Sequence, residues 1–191
     1  VTAAQIDVHR DVGALMPFLH LPVQSGSDAV LAAMNRGYTA DEYRRTVDRL
    51  REACPGLALS SDFIVGFPGE SDADFAATLR LVQDVGFAQA FSFKYSARPG
   101  TPAATLRRQV AEPIRAERLA RLQALLEGQA AAFNAATVGR RFPVLLERAG
   151  RHAGQLVGRS PWLQAVHVAG HGLAIGDIVD VQATDCLAHS L

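Results

Sequence analysis

Three stretches of this chain run apolar and then stop in Gly, Ser and Pro: residues 18–27, 59–70 and 91–104. Helical patterns separate them. Residues 27–35 read as a short helix capped by Ser27 or Asp28, with Val30, Leu31 and Met34 on one face. Thr39-Ala40-Asp41-Glu42 is a capping box opening a second helix, whose apolar stripe is Tyr43, Val47 and Leu50. Arg44, Arg45 and Asp48 form its wet side, and Pro55-Gly56 ends it. A strand over 57–65 follows. Ser71-Asp72-Ala73-Asp74 starts a third helix with Phe75, Leu79, Val82 and Val85 inward and Gly86 as a left-handed stop, and a strand over 88–95 comes next. This β-α-α-β-α-β order predicts parallel pairing through right-handed crossovers, with any site at the carboxyl ends of the strands. Three strands do not close a barrel, so further strands are expected upstream; the amino end, which lacks a Met, reads as the end of a helix.

Glu112-Pro113 opens a long helix to about residue 136, with Leu119, Leu122, Leu126 and Phe133 as its seam and Glu117–Arg121 as an i,i+4 pair. After Gly139 the texture changes to short alternating runs at 142–147, 155–159, 165–168 and 178–182. Turns at Ala149-Gly150, Gly170-His171-Gly172 and Gly176-Asp177 separate them. Such spacing predicts a small antiparallel barrel. The expected division is an α/β domain over 1–138 and a β-barrel over 139–191.

Composition narrows the classes. Nearly half of the 191 residues are hydrophobic and the formal net charge is zero, so no global field draws the chain to nucleic acid or membrane. No apolar run approaches the ~18 residues needed to span a bilayer, and the first ten residues lack the pattern of a secretory signal. The two cysteines, Cys54 and Cys186, have no metal or disulfide spacing; Cys54 reads as a small residue at a helix end. Charge is local: residues 139–160 hold Arg140, Arg141, Arg148, Arg151 and Arg159 against Glu147, while 161–191 contain no Lys or Arg. A basic face on a small barrel, with Trp162 and His167 nearby, is either a solvated surface or an RNA surface.

The strand ends carry the candidate chemistry. Gly66 and Gly69 lack side chains where the second strand leaves the sheet, which would let a flat ligand lie on the backbone beneath Phe67; the alternative is an ordinary strand-to-helix turn. Gln24-Ser25-Gly26-Ser27 offers amides and hydroxyls to a polar group, or simply caps a helix. His20, inside the first strand, is a satisfied core histidine or faces the barrel interior.

Four signatures together resemble the carboxyl-terminal half of the radical S-adenosylmethionine methylthiotransferases. They are Leu19-His20-Leu21-Pro22-Val23-Gln24-Ser25-Gly26-Ser27-Asp28, Met34-Asn35-Arg36-Gly37-Tyr38-Thr39, Asp62-Phe63-Ile64-Val65-Gly66-Phe67-Pro68-Gly69-Glu70 and Tyr95-Ser96-Ala97-Arg98-Pro99-Gly100-Thr101-Pro102-Ala103-Ala104. Gly154-Gln155-Leu156-Val157-Gly158-Arg159-Ser160-Pro161 is similar to the TRAM domain, an RNA-binding β-barrel that ends these enzymes. Phe91-Ser92-Phe93-Lys94-Tyr95-Ser96 with Arg98-Pro99-Gly100-Thr101 looks most like the branch that makes 2-methylthio-N6-isopentenyladenosine beside the tRNA anticodon. Branches acting on ribosomal protein S12 or threonylcarbamoyladenosine are the alternatives, and a non-catalytic RNA-binding module is the alternative of another class.

The resemblance implies a partial radical SAM (β/α) barrel followed by an OB-like TRAM barrel, cytoplasmic, using S-adenosylmethionine and two [4Fe–4S] clusters. The cluster cysteines are absent from this sequence, so the chain alone is expected to bind no metal and to be inactive without an amino-terminal part. By position, Gln24, Ser25, Ser27, Ser61, Asp62, Gly66 and Phe67 would bind S-adenosylmethionine, and Tyr95, Ser96 and Arg98 would close the substrate mouth. Arg140, Arg141, Arg148, Arg159 and Trp162 would hold a tRNA anticodon stem-loop beside that rim.

Overall fold

The computed structural model describes residues 1–170, 172–187 and 190–191. The expected turn at Gly170-His171-Gly172 has its central residue outside the described residues.

The amino-terminal element starts a helix and does not end one. Thr2 and Gln5 form a reciprocal capping box for α1 (Ala3–Asp11). Then come β1 (Phe18–His20), α2 (Asp28–Ala33), α3 (Ala40–Ala53), β2 (Ala58–Val65), α4 (Asp72–Val85), β3 (Gln89–Lys94) and α5 (Glu112–Thr137). Cap chemistry sets the boundaries. Ser27 caps α2, Thr39 with Glu42 caps α3, Ser71 with Asp74 caps α4, and Gly86 stops α4 at φ 63°. Cys54 is the C-cap of α3, its N–H bonded to the Leu50 carbonyl.

The three strands form a parallel sheet in the order β1-β2-β3. Alternation sorts β2 into two faces. Leu59, Phe63 and Val65 are buried in a core with Ile6 of α1, Tyr43, Val47 and Leu50 of α3, Phe75, Leu81, Val82 and Val85 of α4, and Leu122 and Leu126 of α5. Every long helix of this domain therefore covers one face. The opposite face carries His20, Ser60, Asp62, Ile64, Phe91 and Phe93; His20, Phe91 and Phe93 are exposed, while Ser60 is buried. The sheet is an arc of a β/α barrel seen from its concave side.

Beyond α5, β4 (Arg141–Ala149), β5 (Gln155–Arg159), β6 (Ala165–Ala169) and β7 (Ile178–Gln182) make a curled antiparallel sheet in the order β6-β5-β4-β7, with a bulge between Leu146 and Arg148. Among the described residues β6 and β7 do not pair with each other, so the sheet is a half-barrel. Phe142, Val144 and Leu146 alternate inward and share a core with Trp162, Val166, Ala183 and Ala58. Phe18 and Ala88 pack against the same core. Phe18 and Ala58 are the first residues of β1 and β2, and Ala88 immediately precedes β3. The half-barrel is thus seated on the amino-terminal ends of the parallel strands.

Candidate functional site

A cavity of about 1000 Å³ opens at the carboxyl ends of the parallel strands. Its wall combines Gln24 after β1, Asp62 and Ile64 of β2, Phe67, and Phe93, Tyr95, Ser96 and Arg98 at the end of β3. Six of the expected site residues, Gln24, Asp62, Phe67, Tyr95, Ser96 and Arg98, therefore meet in one place. The volume is that of a pocket for a drug-sized or nucleoside-sized ligand.

Backbone strain concentrates at this wall. Gln24 and Asn35, both lining the cavity, are held at φ 74° and φ 58°. Gln24 is 8% exposed, and its N–H and C=O bridge Asp62 and Ile64 of β2 at 2.9 Å each. A non-glycine in this conformation costs roughly 1–3 kcal/mol and persists only where surrounding bonds over-determine it. The Tyr95 hydroxyl is buried without a hydrogen-bond partner among the described residues, its ring edge-on to Phe67 at 5.2 Å. A nucleoside-bearing ligand such as S-adenosylmethionine fits this set: aromatic rings, a carboxylate, an amide side chain and one unsatisfied hydroxyl.

The other four expected contacts are used up internally. Ser25 Oγ lies 3.2 Å from Thr78 Oγ1, and the Gly26 N–H donates to that same hydroxyl at 2.9 Å. A Cβ on Gly26 would sit 2.5 Å from the Ala77 carbonyl, so this glycine admits α4 and not a ligand. Ser27 accepts from the Val30 N–H and donates to Asp74 at 2.6 Å. Ser61 is fully buried, accepting from the Val23 N–H at 3.0 Å and donating to the Leu21 carbonyl at 2.9 Å. Gly66 opens space for a side chain: its missing Cβ position lies 2.3 Å from Arg115 Cγ. The expectation of a bare backbone under a flat ligand at Gly66 is corrected, because α5 fills that space.

A buried ion pair fixes α5 there. Arg118, 4% exposed, meets Glu70 Oε1 and Asp72 Oδ1, each at 2.7 Å, while Glu70 also accepts the Gly66 N–H at 3.0 Å. Burial pushes the Glu70 carboxyl above its ordinary range, opposed by the Gly66 amide and Arg118.

Sequence reasoning missed Met34, Asn35, Phe93, Pro102 and Ala103 as cavity residues. The loop chemistry around Asn35 gave a signal, since Asn tolerates left-handed backbone. It also left open which way His20 points. His20 faces the open side of the sheet, bonded to Ser60 and Asp62.

On the half-barrel, Arg141, Arg148 and Arg159 are exposed, as is Arg140. Arg159 lies 3.4 Å from Glu147 and donates to the Leu163 carbonyl at 3.0 Å. Arg148, Arg151, His152 and His167 border a second cleft of about 840 Å³. Trp162 does not join this surface. It is 8% exposed, with Arg140 over its ring at 4.2 Å, Phe142 and Phe133 edge-on, and its Nε1–H bonded to the Gly56 carbonyl. The expectation that its ring stacks on RNA is corrected: both domains enclose it. The expected placement of the half-barrel beside the rim is corrected too, because it sits at the opposite ends of the strands.

The described residues bring together no group of three or more His, Cys, Asp or Glu able to hold a metal, and the two cysteines lie in different domains. They do not fit an iron–sulfur cluster. No described helix is long and apolar enough to cross a membrane.

Comparison with known proteins follows this division. The chain is 59% identical over all 191 residues to a tRNA-2-methylthio-N(6)-dimethylallyladenosine synthase of Sphingopyxis alaskensis, and spans 43% of that protein's length. Residues 1–82 match the Radical SAM superfamily and residues 135–191 match the TRAM domain. The first match covers α1 through most of α4 in the β/α arc, and the second covers the curled antiparallel sheet.

Proposed function

We propose that this chain works as part of a tRNA methylthiotransferase that places a methylthio group on C2 of N6-isopentenyladenosine next to the anticodon. The observation that carries the reading is the 59% identity to such a synthase, unbroken across both domains. The geometry is in keeping with it: a nucleoside-sized cavity at the strand ends, and exposed Arg141 and Arg148 on the TRAM sheet.

S-adenosylmethionine, when bound, supplies the methyl and 5′-deoxyadenosyl groups for this class of reaction. This chain's residues position and enclose. Phe67, Tyr95 and Ile64 keep water from the cavity, while Gln24, Asp62 and Arg98 give polar contacts. The iron–sulfur ligands are not among these residues. Arg141, Arg148 and Arg159 neutralise phosphates on the TRAM sheet. β2 separates that domain from the rim by about 23 Å at ~3.3 Å per residue. A nucleotide in the cavity and phosphates on the TRAM sheet therefore belong to a loop and its stem, the anticodon arm.

Deleting the gene in its host and analysing tRNA nucleosides by mass spectrometry tests this reading. The expected result is N6-isopentenyladenosine lacking its 2-methylthio group. An unchanged methylthio level with altered ribosomal protein S12 would overturn it in favour of the protein-modifying branch.

A further inference from the structure

The open face of the parallel sheet carries a small side-chain network on an otherwise apolar surface. His20 stands opposite Ser60 in the β1–β2 register, and Asp62 lies two residues further along β2 on the same face. His20 Nδ1 is 2.8 Å from Ser60 Oγ, and Nε2 is 3.3 Å from Asp62 Oδ2. Both ring nitrogens are thus engaged, and one carboxylate oxygen of Asp62 is held. The other oxygen has no partner among the described residues. The Asp62 side chain is 29% exposed, so this oxygen is open toward the cavity and can accept from a ligand donor in place of water.

The neighbours define what kind of ligand. Phe91 is paired with Asp62 across β2–β3, and Phe93 with Ile64. Phe91 and Phe93, on the edge strand β3, are 48% and 54% exposed. Asp62 and Phe93 border the same cavity. Bare phenyl faces beside a single oriented acceptor suit a flat heterocycle that stacks and presents one N–H at its edge. A ligand without a donor would leave the acceptor to water, and one without a flat face would leave Phe93 bare.

The geometry points to Asp62 as the acceptor for the exocyclic N–H of an adenine stacked on Phe93, with His20 as the positioning residue that holds the carboxylate. This deepens the functional reading above, because the same cavity is involved. The adenine has two sources with one chemistry, S-adenosylmethionine and the tRNA nucleoside.

Equilibrium binding by calorimetry on this chain decides it without turnover. One arm uses S-adenosylhomocysteine and the other N6-isopentenyladenosine, each paired with its fully N6-alkylated counterpart, which lacks the N–H. Wild type is expected to bind the N–H form of one arm roughly tenfold or more tighter than its blocked partner, and that arm identifies the source. Asp62→Asn should shrink that ratio several-fold. His20→Leu should shrink it too, and His20→Gln, which keeps a donor toward Asp62, should restore it. A purely structural His20 would lower the melting temperature and leave the ratio untouched.

Equal binding of N–H and blocked ligands by wild type overturns the assignment, as does absence of binding in both arms. So does a loss that follows removal of the ribose hydroxyls instead of the N–H. The wild-type ligand pair is read without any variant, so a misfolded substitution does not decide the outcome. Methylthiolation lost on gene deletion with no N–H preference would sink this inference alone. An N–H preference with unaltered tRNA would sink only the tRNA reading.

Discussion

The indole N–H of Trp162, on the TRAM domain, donates a 3.0 Å hydrogen bond to the carbonyl of Gly56, the turn that leads into β2. One bond thus ties the two domains through residues 106 positions apart in sequence. Around it, Gln164 bonds Asn134 and Thr137 at the end of α5, and Arg140 covers the ring.

Trp162→Phe keeps most of the ring and removes that donor. The Gly56 carbonyl, on an exposed turn, then turns to water, at a cost of about 0.5–1.5 kcal/mol. Trp162→Ala removes the ring as well and is expected to cost about 3–5 kcal/mol. Chemical denaturation of both variants checks the order. Equal stability of Trp162→Phe and wild type would show that the bond contributes nothing.

Gly26→Ala should destabilise by about 1–3 kcal/mol through overpacking, because the new methyl meets the backbone of Ala77 and Thr78, not a flexible side chain. Gly37→Ala, with nothing within 4 Å of its Cβ position, is the control and should change stability little. Urea midpoints of the pair are the measurement.

Asp74 gives a pH dependence. Burial pushes its carboxyl up, but bonds from the Ser27 and Ser71 hydroxyls and the Ser71 N–H prevail, so it lies below its ordinary 3.8. A carboxylate depressed in the folded state contributes stability that is present above the unfolded value and lost as pH falls through the folded one. Melting temperature should therefore drop below about pH 4 with a contribution from Asp74. In Asp74→Asn that contribution should be missing, with about 1 kcal/mol less stability at neutral pH from the weakened cap. Parallel acid limbs in the two proteins would contradict this.

Arg148→Ala is expected to weaken tRNA binding and lower the slope of log affinity against log salt by about 1. The same change at Arg140, whose guanidinium is committed to Trp162, should alter the slope less and stability more. Filter binding at several salt concentrations separates them. A slope unchanged in Arg148→Ala removes that residue from the RNA surface.

Capping boxes at Thr39–Glu42 and Ser71–Asp74, the Pro113 start of α5 and the two-residue alternation from Phe142 to Leu146 are local signals, and they set the elements. The strand ends also announced that a site lies after β1, β2 and β3, because parallel strands must release their chain there. Which residues face the cavity was decided elsewhere. Ser25, Ser27 and Ser61 have the polarity of ligand contacts, yet partners from α4 or neighbouring backbone segments satisfy them. Gly66 looks like an opening until α5, some fifty residues later, fills it with Arg115. Trp162 looks like a stacking residue until the foot of β2 covers it. The pattern of residues determined the helices and strands from β1 onward and their order, since caps and periodicity act over a few positions. Only the tertiary structure chose among the polar and aromatic side chains. Whether a hydroxyl, a glycine or a ring is available to a ligand depends on atoms brought against it from distant parts of the chain.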